Sequence, residues 1–314
     1  RSQLDGDQAL LFKPAAQGLG HGHFDKLTWQ FYDKGQEIVS DYGAARFLNV
    51  EAKFGGRYLP ENNSYAKQTV AHNTVVVDET SHFNANVKVG NKNAPTLNFF
   101  ETSDYGTVSS GEISPAYKGV ELERTLALVN LKELESTVAL DLFTIDADKA
   151  HQLDLPLHYQ GQLIDTNFEL QANTKQLSSL GDNSGYQHLW LKAQSAPKQG
   201  LAKVSWLNEN GRFYTLTSLV NGDESFLFTQ VGANDPNFNL RNEHGFIRRV
   251  SDKKQHQFIS VLEPHGEYNP SKEYTLVAER RVALEFANLW FCYFLRPFLP
   301  IVGILHCALR SAVC

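Results

Sequence analysis

Two histidines and an aspartate fall within five residues of the stretch GLGHGHFDKL, positions 18–27, where His21 and His23 alternate with glycines and Asp25 follows. Residues two apart share a face of an extended chain. His21, His23 and Asp25 therefore point the same way if this stretch is extended, with Gly20 and Gly22 leaving room for a close approach. Imidazole, imidazole and carboxylate at this spacing suit a metal site, an acid/base site or a buried hydrogen-bonded turn. Two later segments extend the set: Asp41 ends the apolar step Ile38–Val39, and His72 stands in VAHNT at the entry to a β-branched run. Two histidines and a carboxylate from separate strands, His23, Asp41 and His72, make a zinc set with a fourth position for water or another group. Spacing alone leaves the bland alternative open, since a buried histidine or aspartate must in any case be paired.

The elements that would position these residues are strands. Segments 74–78 (TVVVD), 124–130 (RTLALVN), 136–143 (STVALDLF) and 226–231 (FLFTQV) are short and rich in β-branched or aromatic residues. Each is bounded by Gly, Asn or Asp turn chemistry. Asn-Gly at 210–211 and at 221–222 sits between such runs and predicts a hairpin at each place. Turn signals recur every eight to twelve residues, and no long amphipathic helix or internal repeat interrupts them. The expected fold is all-β, a multi-sheet antiparallel β-sandwich.

With 314 residues, 42% of them hydrophobic, the chain can fill a substantial core. A formal charge of −6 supplies no basic field for nucleic acid, so no such partner is expected. Residues 20–72 balance six Lys/Arg against six Asp/Glu, so any attraction for a polyanion must come from placement. The sequence lacks methionine even at position 1, which predicts that it begins inside a longer gene product or after a cleaved segment. Cys292, Cys307 and Cys314 all lie near the end, which excludes a disulfide framework and thiolate chemistry from the first 291 residues. A cysteine-free body fits a periplasmic or cell-envelope location. Beyond Arg281 the aromatic content rises and period-2 alternation stops. Arg296, Pro297 and Pro300 break that stretch, so a membrane span is not expected. The expected division is a β domain at 1–281 and an anomalous apolar tail at 282–314, foreign to the fold.

The string GHGHFDKLTWQFYDKGQEIVSDYGAARF, with Tyr58 in GGRYLPEN and then KQTVAHNTVVVDETSHF, resembles the C-terminal part of the heparinase II/III-like polysaccharide lyases. Within them it is similar to the family 17 oligoalginate lyases. The blocks HQLDLPLHYQG, VGANDPNFNLRNEHGFIRR and FISVLEPHGEYNP agree, so the resemblance covers about residues 8 to 280. It implies a β domain that in these enzymes follows an N-terminal α/α toroid, with the active site between the two. It also implies Zn2+, mainly structural, on His23, Asp41 and His72. His21 and Tyr58 then fall on catalytic positions and Arg46 on a substrate-binding one. A lyase of this kind removes the C5 proton of a uronate and expels the 4-linked oxygen. Arg46 suits a uronate carboxylate through two hydrogen bonds, while Tyr58 and His21 can serve the leaving oxygen and the sugar.

The function this implies is exo-acting cleavage of alginate oligosaccharides by β-elimination. Two other readings stay open, a non-catalytic uronate-binding sandwich and a lyase for a glycosaminoglycan such as heparan sulfate. The expected partners are a uronate oligosaccharide and the toroid, with a homodimer as a further arrangement. The catalytic groups that the family draws from the toroid have no counterpart in this sequence, so the chain alone is expected to be inactive or feeble. His151, His158 and His265 read as buried hydrogen-bonding groups.

Overall fold

The computed structural model describes residues 2–3, 8–18, 21–45, 58–131, 136–269 and 271. Arg46 and the tail at 282–314 lie outside the described residues. Five short strands come first: β1 (Ser2–Gln3), β2 (Ala9–Lys13), β3 (Thr28–Asp33), β4 (Gln36–Val39) and β5 (Val76–Val77). Longer ones follow as β6 (Thr96–Ser103), β7 (Gly106–Tyr117), β8 (Val120–Leu131) and β9 (Ser136–Tyr159). The remainder are β10 (Gln162–Thr166), β11 (Gln171–Ala172), β12 (Leu189–Ser195), β13 (Gly200–Leu207), β14 (Phe213–Val220), β15 (Ser225–Val231) and β16 (His244–His265). The expected all-β class is what the chain adopts. Among the described residues helical structure is confined to short turns such as the α-helical Val87–Gly90 and the π-helical Asn62–Ala66.

Two long strands organise everything else. β9 and β16 pair antiparallel along most of their length, and each belongs to two layers. The first half of β9 continues through β8 and β7 to β6, while the end of β16 continues through β14 and β13 to β10. In the other layer, the end of β9 meets β5 and then β4, β3, β2 and β1, and the start of β16 meets β15, β12 and β11. The pair changes layer where its register shifts, between Val250 and Gln255, with Asp252 at φ 57°. An unpaired residue at such a bulge bends the strand and raises its twist.

The Asn-Gly expectations part company here. Asn210-Gly211 joins β13 to β14, which pair in register, and is the predicted hairpin. Asn221-Gly222 joins β14 to β15, and these two do not pair. Each instead lies against a different stretch of β16, 259–265 and 244–249 respectively. The turn at 221–222 carries the chain from one layer to the other.

Side chains from both layers fill the space between them. Trp29, Phe31, Val39, Phe226 and Phe246 meet Leu126, Leu128, Val204, Trp206 and Tyr214 in one buried cluster. Full burial of such a Leu, Val or Phe contributes roughly 1.5–3 kcal/mol, so this core anchors the ends of β3 and β4. The loops that precede and follow those two strands carry His23 and Asp41.

Candidate metal site

His23, Asp41 and His72 come from three loops, not from strands. His23 precedes β3, Asp41 follows β4, and His72 ends a short turn at Thr69–Ala71. The β-branched run after His72 pairs only at Val76–Val77, so the histidine does not enter a long strand. The reason is local. The backbone of 68–75 hydrogen-bonds within its own turns, and its polar side chains reach the neighbouring loops.

Asn73 joins all of these segments. Its buried side-chain amide donates to the carbonyls of Trp29 (2.9 Å) and Ser40 (2.7 Å) and accepts from the His158 N–H (2.7 Å). Thr69 and Thr74 donate to the carbonyls of Phe24 (2.7 Å) and Lys26 (2.6 Å), which ties the His23 loop to the His72 loop. Arg124, fully buried, donates through Nη1 to the carbonyls of Leu27 and Asn73. Its Nε and Nη2 are held by Asp141 at 2.8 and 2.6 Å. The glycine between the two histidines is required by space. A Cβ on Gly22 would lie 1.1 Å from the Gln17 carbonyl oxygen.

His72 is completely buried and its Nδ1 lies 2.5 Å from Asp41 Oδ1. The His23 ring packs against it with centroids 5.1 Å apart. Donor atoms of His23, Asp25 and His72 lie within 4.8 Å of one another, and Asp25 is itself paired with Lys13. Burial, followed by the charge of His72, pushes His23 down to about 4, which keeps its imidazole neutral near pH 7. Burial also disfavours the charged forms of Asp41 and His72. Their mutual attraction and hydrogen bond outweigh it, holding Asp41 well below the usual carboxylate range and raising His72.

A neutral imidazole, a second imidazole and two carboxylates are a zinc-type donor set. One atom supports that fit: His72 Nε2 is buried and has no hydrogen-bond partner. Two ligands at ordinary zinc distances would stand about 3.3 Å apart across a tetrahedral ion, so 2.5 Å is a direct hydrogen bond between His72 and Asp41. Asp41 thus occupies the orienting position on Nδ1 that a metal-binding histidine commonly fills with a carboxylate. Asp25 is the carboxylate whose oxygen lies within 4.8 Å of donor atoms of both histidines.

Of the remaining expected site residues, His21 and Tyr58 are described and lie at the surface. His21 is solvent-exposed two residues upstream of His23, and Tyr58 is 72% exposed. A polar cavity of about 710 Å³ opens beside Asp41, lined by Glu37, Tyr42, Asn208, Arg241 and Glu243 among others. His151, His158 and His265 are hydrogen-bonded as expected, to Asp78 (2.6 Å), the Val70 carbonyl (2.8 Å) and Thr215 (2.7 Å). Sequence reasoning missed Asn73, Arg124, Lys13 and Arg241, and it left Asp25 out of the metal set. Arg124 did leave a signal, a charge directly before the apolar half of β8.

The family profile described as Heparinase II/III-like, C-terminal, matches residues 4–273. The chain belongs to that family. An alginate lyase of Stenotrophomonas maltophilia is 50% identical over 275 residues, which is 88% of this chain and 37% of that protein. An exo-oligoalginate lyase of Saccharophagus degradans is 48% identical over 271 residues, 85% of this chain and 36% of that one. The chain therefore spans a little over a third of the length of these relatives. Among solved structures, a heparan sulfate lyase of Pedobacter heparinus superposes with a TM-score of 0.54 at 15% identity, covering 82% of this chain and 33% of that one. That likeness confirms the fold of this heparinase II/III-like domain and says nothing of its substrate.

Proposed function

We propose that this domain supplies one wall of the active site of an exo-acting alginate lyase, completed by an N-terminal α/α toroid and located in the periplasm or cell envelope. The observation that carries the reading is the convergence of His23, Asp41 and His72 from three loops separated in sequence. Relatives about 50% identical that are named alginate lyase and exo-oligoalginate lyase support the substrate class.

Zinc would be held by His23 and His72 with Asp25 as the third protein donor, while Asp41 would orient His72 through its Nδ1. When bound it would cross-link the loops around β3 and β4 and fix the wall of the cleft. The elimination itself falls to protein groups. The uronate carboxylate must be neutralised so that charge can develop at C5, and Arg46 is the residue suited to it. A base removes the C5 proton while an acid protonates the departing O4, leaving a C4–C5 double bond. Tyr58 and His21, both open to solvent here, are available to the leaving oxygen and the sugar hydroxyls.

Formation of the double bond is read as ultraviolet absorbance on alginate oligomers, with heparan sulfate as the competing substrate. The chain alone should be at least a thousandfold slower than the same chain joined to the toroid of a related lyase, since removing members of a cooperating set costs several powers of ten. Full activity of the isolated chain would show that the acid/base groups have been misplaced. Turnover of heparan sulfate alone by the joined protein would move the substrate class to glycosaminoglycans.

A further inference from the structure

The segment that carries Asp41 is short of regular structure. It leaves β4 at Val39 and turns through Gly43 at φ 69°. Glu37 accepts the Asp41 N–H at 3.2 Å and Asn73 holds the Ser40 carbonyl, but the residues after Asp41 are held from 199 positions away. Arg241 donates from Nη1 to the Ala44 carbonyl (3.1 Å) and from Nη2 to the Tyr42 carbonyl, and its guanidinium lies 4.2 Å from the centre of the Tyr42 ring. Tyr42 is buried and answers in kind, its hydroxyl accepting the Arg241 backbone N–H at 2.6 Å. Glu243 fixes the remaining edge of the guanidinium, Oε1 to Nε at 2.9 Å. Its other oxygen is buried without a partner beside the cavity next to Asp41.

We propose that Arg241 is a positioning residue for Asp41, acting through Tyr42 and the 42–44 backbone to hold the carboxylate against His72. The inference rests on the reading of His72, Asp41 and His23 as a zinc site. A planar fork that spans two carbonyls while stacking on an aromatic ring cannot be replaced by an ammonium. Arg241→Lys therefore keeps the charge and loses the geometry. The Asp41 segment contributes little to the buried clusters beyond Tyr42 and Ala45, so this change should act on the site more than on the fold.

The test measures two quantities on the full chain. One is zinc affinity by chelator competition; the other, in metal-free protein, is the low-field proton resonance of His72 Nδ1 that its bond to Asp41 produces. Arg241→Lys should leave the unfolding midpoint within a few degrees of wild type. It should weaken zinc binding about 10- to 100-fold, the usual cost of disturbing a residue behind a metal ligand, and broaden or shift the His72 proton. Glu243→Gln, which keeps Arg241 but slackens its anchor, should move both quantities the same way by less. A folded Arg241→Lys protein with wild-type zinc affinity and an unchanged His72 proton overturns the proposal. If Arg241→Lys does not fold, Glu243→Gln decides by the same two readings. Should wild type bind no zinc, the zinc reading fails and the His72 proton alone judges the positioning role.

Discussion

Two histidine–aspartate pairs in this domain have nearly the same inner geometry and different surroundings. His72 Nδ1 meets Asp41 at 2.5 Å, and His151 Nδ1 meets Asp78 at 2.6 Å. In both, the other ring nitrogen is buried without a hydrogen-bond partner. The second pair even borders the larger cavity, about 970 Å³, shared with Phe83, Tyr117, Lys118 and Lys149. Cavity size would therefore choose the wrong pair. What separates them is the third ligand and the solvent. His72 has the His23 ring packed beside it at a tilt of 49° and Asp25 within reach, and Asp41 is mostly buried at 16% exposure. Asp78 is half exposed at 52%, and its other oxygen accepts the Gln152 N–H at 3.0 Å, closing a turn. One pair has further donor groups within reach; the other is a buckle between a turn and β9.

The largest expected difference follows directly. Purified wild type should hold about one zinc per chain. His23→Ala combined with His72→Ala should reduce that to background, whereas His151→Ala should leave zinc content unchanged. Elemental analysis of the three proteins checks it. Equal, negligible zinc in all of them would end the metal reading, and zinc lost with His151 would reverse the ranking of the two pairs.

A second measurement sharpens the role of each carboxylate. Asp41 sits on Nδ1 while Asp25 has a donor atom within 4.8 Å of those of His23 and His72. Asp41→Asn and Asp25→Asn should therefore be compared for zinc affinity. A direct ligand should cost more than 100-fold, and an orienting neighbour about 10- to 100-fold. With Asp41 orienting His72 and Asp25 as ligand, Asp25→Asn is the weaker binder of the two. The opposite order would transfer the ligand role to Asp41.

Residue types and turn chemistry carried much of this molecule. The all-β class followed from β-branched runs between Gly, Asn and Asp, and the three converging residues followed from their chemistry together with the family resemblance. The failures share one cause, dependence on partners distant in sequence. Asn221-Gly222 looks like Asn210-Gly211 locally, and only the pairing of β14 and β15 with different ends of β16 makes it a crossover. Arg241 holds a segment 199 residues upstream, and nothing in LRNE announces it. Asn73 was in plain view beside His72, but its bonds to Trp29, Ser40 and His158 exist only once three loops have met.

The histidines around the cluster give a third expectation, through pH. His82 accepts the Lys26 N–H and donates to the Val75 carbonyl, and burial pushes it down to about 3. Burial likewise pushes His158 down to about 4. Each is neutral when folded but takes a proton near pH 6.5 when unfolded, so its contribution is complete above about pH 6.5 and is lost as pH falls towards the folded value. Raised His72 has the opposite sign, its contribution complete below about pH 6.5 and lost as pH rises through its folded value. Two outweigh one. Between pH 7 and pH 5 the unfolding midpoint of metal-free protein should fall by several degrees, at about 2 kcal/mol for each depressed histidine. A midpoint that is flat or rises over that interval would contradict the neutral burial of both rings.

The smallest effect belongs to the other pair. Asp78 adopts φ 49°, a left-handed backbone that asparagine tolerates at least as well as aspartate. Asp78→Asn therefore keeps the turn and can still accept the Gln152 N–H through its remaining oxygen. It loses the carboxylate oxygen that receives His151 Nδ1, a bond weakened already by the solvent around a half-exposed side chain. The expected loss is about 1 kcal/mol, or about 2–4 °C in the unfolding midpoint for a domain of this size. Zinc content should not change. A loss of zinc on this substitution would mean that the two pairs communicate through β5 and β9, and that the buckle at Asp78 belongs to the site after all.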